Sequence, residues 1–378
     1  MAGIYIHIPF CKTKCHYCDF YKSTDFGARA DFLSALKKEM VVRKHELNNE
    51  TIESIYFGGG TPSVLKINEI ESILETIYSF FQVHQDPEIT LEANPDDLNP
   101  LFIEGLAGTR INRLSIGIQS FHDRDLKVMN RRHNALQAVG CVENAQAAGF
   151  GNLSIDLIYG LPNQSADDWK NNVETALRMN VSHISAYHLT YHKGTVFYKY
   201  LKSGKISEIP DEISLAQFRL LRHSLEEVGY EHYEISNFAR NGRYSRHNRS
   251  YWERENYIGF GPSAHSFDQR TRRWNVSSLK KYLHAVEHEA LFWKDEVLTP
   301  QDQYNDYMIT SLRTMWGISG AYLDSVFDSR YTSYFRKEAL PFIDTGHMIF
   351  DGKTYTLSEE GLFISDRIME KLFFIGPS

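Results

Sequence analysis

The segment Cys11-Lys-Thr-Lys-Cys15-His-Tyr-Cys18 places three of the chain's four cysteines in one short loop, at C-x3-C-x2-C spacing. A four-iron cube ordinarily takes one protein thiolate per iron. Three thiolates would leave one iron with an open position where a small molecule can bind and react. A zinc site would normally draw on two separated pairs of ligands and would have to recruit His16 as a fourth. A disulfide would leave one thiol over, and the N-terminal apolar run 4–10 is short and broken by His7 and Pro9, unlike a secretory signal. The iron–sulfur reading therefore leads. Cys141 lies in a helical pattern and is expected to pack as a small buried hydrophobe.

Further residues with chemical potential recur along the chain. Phe57-Gly58-Gly59-Gly60-Thr61-Pro62 would let backbone approach a ligand closely, with Pro62 stiffening the exit. Glu92, Gln119, Arg131 and Asp156 are polar residues near the ends of apolar runs, where solvated or helix-capping roles are the ordinary alternative. Later, Arg246-His247-Asn248-Arg249-Ser250-Tyr251-Trp252 joins a histidine to two aromatics, and Arg240 and Arg243 add to its positive charge. Histidine is a common axial ligand of haem iron, aromatic faces suit a porphyrin, and arginines suit propionates. A satisfied loop histidine with core aromatics is the plainer alternative. His265, in Gly259-Phe-Gly-Pro-Ser-Ala-His265-Ser266, sits in a tight loop and is read mainly as structural.

The elements that must position these residues alternate over the first two thirds. Apolar or β-branched runs at 4–8, 54–57, 88–92, 113–118, 153–159 and 183–189 read as strands. Helical patterns lie around 32–40 and at 68–81, 98–106, 135–148 and 166–178. Six β-then-α units imply parallel strands with right-handed crossovers and an open or closed barrel. In such folds chemistry collects at the C-terminal strand ends, where Cys11, Gly59, Glu92, Gln119, Asp156 and His188 fall. After about 211 the alternation stops. Helices are expected at 214–228, 278–287 and 301–314, then a hairpin around Asp351-Gly352 and a final helix capped by Ser358.

The cysteine loop after its short strand, with the glycine motif about forty residues on, resembles the radical S-adenosylmethionine (SAM) superfamily. The resemblance extends over the chain to the branch that contains oxygen-independent coproporphyrinogen III oxidase and the HemW-type haem chaperones. It implies an α/β fold: a partial six-unit (β/α) barrel over 1–230, then a mainly helical C-terminal domain, 231–378, with a winged-helix-like end. It also implies a [4Fe–4S] cluster on Cys11, Cys15 and Cys18. SAM would bind at the open iron, contacted by Tyr5, Gly59, Gly60, Thr61, Glu92, Gln119, Arg131 and Asp156, while Tyr17 either stacks near its adenine or packs. In that superfamily an electron from the reduced cube cleaves SAM to a 5′-deoxyadenosyl radical and methionine.

Two features separate the branches. The oxidases resemble C-x3-C-x2-C-x-C, whereas here the position of the extra cysteine is Phe20, which can neither ligate nor relay a proton. His247, Asn248, Tyr251 and Trp252 match H-N-x-x-Y-W, a signature of the haem-chaperone group. The resemblance thus implies a chaperone that carries haem as cargo to acceptors such as respiratory haem proteins, with flavodoxin or ferredoxin as a reductant. Coproporphyrinogen oxidase is the alternative, and oxidase activity is not expected. A net charge of −7 argues against a nucleic-acid partner. No apolar run approaches the roughly 18 residues needed to span a bilayer, so a cytoplasmic protein is expected, with peripheral membrane association allowed.

Overall fold

In the computed structural model, which describes residues 1–376, six parallel strands run in chain order through one sheet. They are β1 (Ala2–Ile8), β2 (Ile52–Gly59), β3 (Val83–Ala93), β4 (Arg113–Gln119), β5 (Leu153–Tyr159) and β6 (His183–His188). Ile4, Ile6 and Ile8 of β1 are all fully buried, because helices cover the outer face of a parallel sheet while the other face lines the barrel. Helix Ile67–Phe80 buries Ile70, Ile73, Leu74 and Ile77, the i, i+3, i+4, i+7 stripe that the sequence shows. Cys141, in helix Ala135–Ala147, is 3% exposed and donates to the Ala138 carbonyl at 3.2 Å, so it is a core residue.

The barrel stays open, and both edges are extended by strands that the sequence did not signal. β7 (Glu231–Glu234) and β8 (Asn237–Ala239) continue the sheet antiparallel beyond β6. On the other edge β9 (Asn256–Phe260) pairs parallel with β1. β10 (His265–Phe267), β11 (Thr271–Asn275) and β12 (Trp293–Val297) then follow antiparallel. Segment 231–297 is thus largely a pair of sheet extensions. The helical region with its own core begins at helix Pro300–Leu312, where Tyr304, Met308, Leu323, Phe335 and Ile368 pack together. A small sheet of β13 (Ile318–Ser319), β14 (Met348–Phe350) and β15 (Thr354–Leu357) completes a winged-helix-like end. Ser358 caps the helix after the hairpin by accepting from the Gly361 amide at 3.1 Å.

A buried ion pair ties the β9–β10 loop to the first helix, Arg29–Arg43. Arg43 and Glu39 have fully buried side chains 2.7 Å apart. Arg43 donates to the Gly259 carbonyl at 2.7 Å and to Ser266 Oγ at 2.9 Å. Glu39 accepts from the Gly261 amide, Asn275 Nδ2 and the Tyr282 hydroxyl, at 2.8, 2.7 and 2.6 Å. Every charge in this network is satisfied, which is the condition for burying it.

Candidate functional site

The C-terminal ends of the strands surround a cavity of about 410 Å3. Cys11, Cys15 and Cys18 line one side, and Gly59, Gly60, Thr61, Glu92, Gln119, Arg131 and Asp156 line the rest, with Tyr17 beside them. Tyr17 also packs against the apolar cluster around Leu126 and Phe197, so its ring both packs and faces the cavity. Tyr5 is placed differently from the expectation: it lines a second cavity, described below.

Local geometry explains the residue types. Gly59 adopts φ +103, and a Cβ there would meet the His7 imidazole at 2.6 Å. A Cβ on Gly60 would lie 2.7 Å from the Ile8 and Phe10 carbonyl oxygens. The Gly60 amide donates to Ile8 O at 2.8 Å, locking the glycine loop onto the strand that feeds the cysteines. Gln119 ends β4 at φ +69, a conformation costly for a non-glycine residue and common where function holds it.

The site suits thiolate ligands. Thr61 Oγ1 donates to Cys11 Sγ at 3.3 Å, and Arg131 Nη1 reaches Cys15 Sγ at 3.6 Å. Arg131 also donates to Asn94 Oδ1 at 2.6 Å and to the Gly117 carbonyl. Burial pushes the Cys11 thiol up to about 11, partly opposed by the Thr61 hydrogen bond, so deprotonation there calls for a metal. Three thiols of one loop line one cavity, and a cube takes its thiolates one per iron around its faces. The donor set therefore fits a cluster.

Glu92 and Asp156 form a half-buried carboxylate pair in the cavity wall. Burial pushes Glu92 up to about 7 against the Tyr56 hydroxyl that donates to it at 2.8 Å, with Asp156 adding to the rise. Burial likewise raises Asp156 to about 6, opposed by hydrogen bonds from Ser185 and Ser115. An unfolded glutamate titrates near 4.3. Between there and 7 the folded chain holds the extra proton, so this group's contribution is full at low pH and is lost as pH rises through that window. Glu92→Gln should therefore gain stability relative to wild type by roughly 1–3 kcal/mol on going from pH 5 to pH 8. Denaturant midpoints at the two pH values check this, and an unchanged difference would contradict it.

A second cavity, about 550 Å3, opens beside the first; Phe20 lines both. Its walls are aromatic and include Tyr5, Tyr21, Tyr251, Trp252 and Tyr257. The spacing of the His247 motif becomes legible here. Helix Arg246–Trp252, capped by Ser245, sets His247 and Tyr251 one turn apart on the same face. Tyr251 and Trp252 reach the cavity wall, whereas Asn248 is half-buried in the first turn and His247 lies behind Tyr251.

Both His247 nitrogens are used, Nδ1 with Ser54 Oγ and Nε2 with the Tyr251 hydroxyl, each at 2.8 Å, and the ring is stacked on Tyr56. Burial lowers its pKa to about 3. With both ring nitrogens engaged, coordination of iron by His247 would require one of these two hydrogen bonds to break. The neighbouring arginines are also engaged away from the cavity: Arg240 with Asn180, Arg246 with Asp86 and Arg249 with Glu253. His265, expected to be structural, instead stands exposed on the cavity wall.

Comparison with known proteins gives a consistent result. The family described as Radical SAM superfamily matches residues 5–176. The chain is 34% identical to heme chaperone HemW of Bacillus subtilis (strain 168), covering 87% of this chain and 90% of that protein. It is 32% identical to heme chaperone HemW of Lactococcus lactis subsp. lactis (strain IL1403), covering 97% and 96%. Among solved structures, coproporphyrinogen III oxidase (HemN) from Escherichia coli superposes with a TM-score of 0.83 at 24% identity, covering 98% of this chain and 90% of that one. That likeness establishes the fold.

Proposed function

We propose that this chain, which belongs to the HemW family of radical SAM proteins, binds haem as cargo and passes it to haem-requiring acceptors such as respiratory haem proteins. The supporting observation is the pairing of two adjoining cavities, one at the strand ends lined by three thiols and the other by aromatics, with Phe20 on the wall of both. The aromatic cavity lies within the roughly 300–1,000 Å3 typical of small-molecule sites. In the first cavity Cys11, Cys15 and Cys18 would hold a [4Fe–4S] cluster. Gly59 and Gly60, whose Cβ positions would fall on the His7 ring and on the Ile8 and Phe10 carbonyls, hold their loop tight against β1 in the wall where SAM would bind. Glu92, Gln119 and Asp156 offer acceptors for its hydroxyl and amino groups, and Arg131 offers a cation to its carboxylate. The cluster and SAM, when bound, supply one-electron chemistry with a flavodoxin or ferredoxin as reductant.

In the second cavity Tyr251 and Trp252 present aromatic faces to the porphyrin, and His247 fixes the Tyr251 hydroxyl. Phe20 supplies apolar surface where a thiol would be needed for the oxidase reading. No described helix is long and apolar enough to cross a membrane, in keeping with a cytoplasmic protein that visits acceptors at a membrane surface.

The test is haemin titration of the anaerobically reconstituted protein, followed by absorption. About one haem per chain should bind, with a sharpened Soret band, and coproporphyrinogen III with reductant should remain unconverted. Decarboxylation without haem binding would replace the chaperone by the oxidase.

A further inference from the structure

We propose that His265 is the axial ligand of haem iron and that Arg254 pairs with a haem propionate, inside the aromatic cavity. The inference rests on the haem-chaperone reading and deepens it by naming the groups that grip the cargo.

The cavity lies where the β1–β9–β10–β11 edge faces helix Pro300–Leu312, which contributes Asp306 and Thr310. Two histidines line it. His7 is buried, with Nε2 on the Tyr21 carbonyl at 3.0 Å and Nδ1 facing the Tyr5 hydroxyl at 3.4 Å. His265 differs on each count. It is exposed on β10, its ring lies against Trp274 with centroids 6.4 Å apart, and among the described residues neither ring nitrogen has a hydrogen-bond partner. Partial desolvation and, after it, the Arg272 charge lower its pKa. The His265 backbone packs closely against β9. A Cβ on Gly259 would sit 2.1 Å from the His265 carbonyl oxygen, so only glycine lets β9 come this close to β10.

The anionic groups of haem need a cation in the same wall. Arg272 is already held by Asp306 and Glu296. Arg254 is not: among the described residues it makes no ion pair, and its buried Nε has no hydrogen-bond partner. Loss of solvent lowers its pKa, with Arg272 adding to the fall and Asp306 opposing it. Its backbone is held at φ +57, while the Arg254 amide donates to Tyr251 O at 3.2 Å and the Glu255 amide to Ser250 O at 2.9 Å. Helix Arg246–Trp252 thus ends in a turn that sets Arg254, without an ion-pair partner among the described residues, in the cavity wall near the Phe267 ring and the Asp306 carboxylate. The H-N-x-x-Y-W motif then builds the wall and the turn, and the iron ligand comes from the Gly-Phe-Gly-Pro-Ser-Ala-His loop across the cavity.

Haemin titration of the full chain and three variants tests this, read by the Soret band and by electron paramagnetic resonance of the ferric complex. In His265→Ala the histidine-ligated spectrum should be lost and affinity should fall at least tenfold, with added imidazole restoring the spectrum. In His247→Gln the ligation signature should persist even if affinity drops. Arg254→Gln should weaken haem several-fold yet leave the affinity for haem dimethyl ester, whose propionates carry no charge, as in wild type. A histidine signature that survives His265→Ala overturns the ligand assignment, and equal losses for haem and its ester in Arg254→Gln overturn the propionate contact. Failure of wild type to bind haem would instead overturn the chaperone reading itself.

Discussion

Replacing Cys11, Cys15 or Cys18 singly by alanine should reduce bound iron from about four per chain after anaerobic reconstitution to near zero. The three thiols sit on one side of a single cavity, and no fourth cysteine lies near enough to substitute. A cube held by three thiolates has no redundancy, so loss of one exposes a second iron to solvent and exchange. Cys141→Ala provides the internal control, because that thiol is buried in a helix and bonded to Ala138 O; its iron content should match wild type. Iron and sulfide analysis with the visible absorption of the cluster measures all four variants. Normal cluster content in any of the first three would remove the cluster assignment. Thr61→Val forms a finer probe, since it deletes the donor to Cys11 Sγ while keeping the shape. Hydrogen bonds to cluster sulfur tune potential more than occupancy, so Thr61→Val should keep its iron and shift its reduction potential.

The parallel strands are legible because each holds a short stretch rich in apolar and β-branched residues, as burial on both faces of a parallel sheet favours. The parallel topology places Gly59, Glu92 and Gln119 at strand ends that point the same way, and Asp156, midway along β5, faces the same cavity. The edge strands were not legible. Thr271-Arg-Arg-Trp-Asn275 is short and half-exposed, with ion pairs from Arg272 and Arg273 in place of an apolar face, so nothing in its composition distinguishes strand from loop. The aromatic cavity is built largely from those edges, so composition and spacing single out neither Arg254 nor Tyr257 and leave His265 looking structural. A signal did exist for His247: H-x-x-x-Y is an i,i+4 pair on one helix face, a spacing that favours a hydrogen bond within the helix over a free imidazole.

The Glu39–Arg43 pair predicts the largest loss of stability from a single substitution away from the cysteines. Glu39→Ala would leave Arg43 fully buried with no carboxylate on its Nη1, while the Gly261 amide, Asn275 and Tyr282 would each lose an acceptor. Breaking a buried pair from one side typically costs about 3–5 kcal/mol, because the remaining charge cannot recover its water. Arg43 keeps Glu46 at 2.9 Å, and the Glu46 side chain is one-third exposed, so the cost should sit toward the lower end of that range. Urea unfolding of the two proteins measures the difference, and a change below about 1 kcal/mol would mean the network is relaxed by water. The same substitution also reaches the haem wall. Glu39 and Arg43 hold Gly259, Gly261 and Ser266, the loop that presents His265, so loosening them should lower haem affinity although neither side chain lines that cavity. Glu39→Gln keeps the shape and one acceptor oxygen, and should recover part of both stability and haem affinity. Parallel recovery of the two would tie the buried pair to the geometry of the haem wall, and stability restored without affinity would break that link.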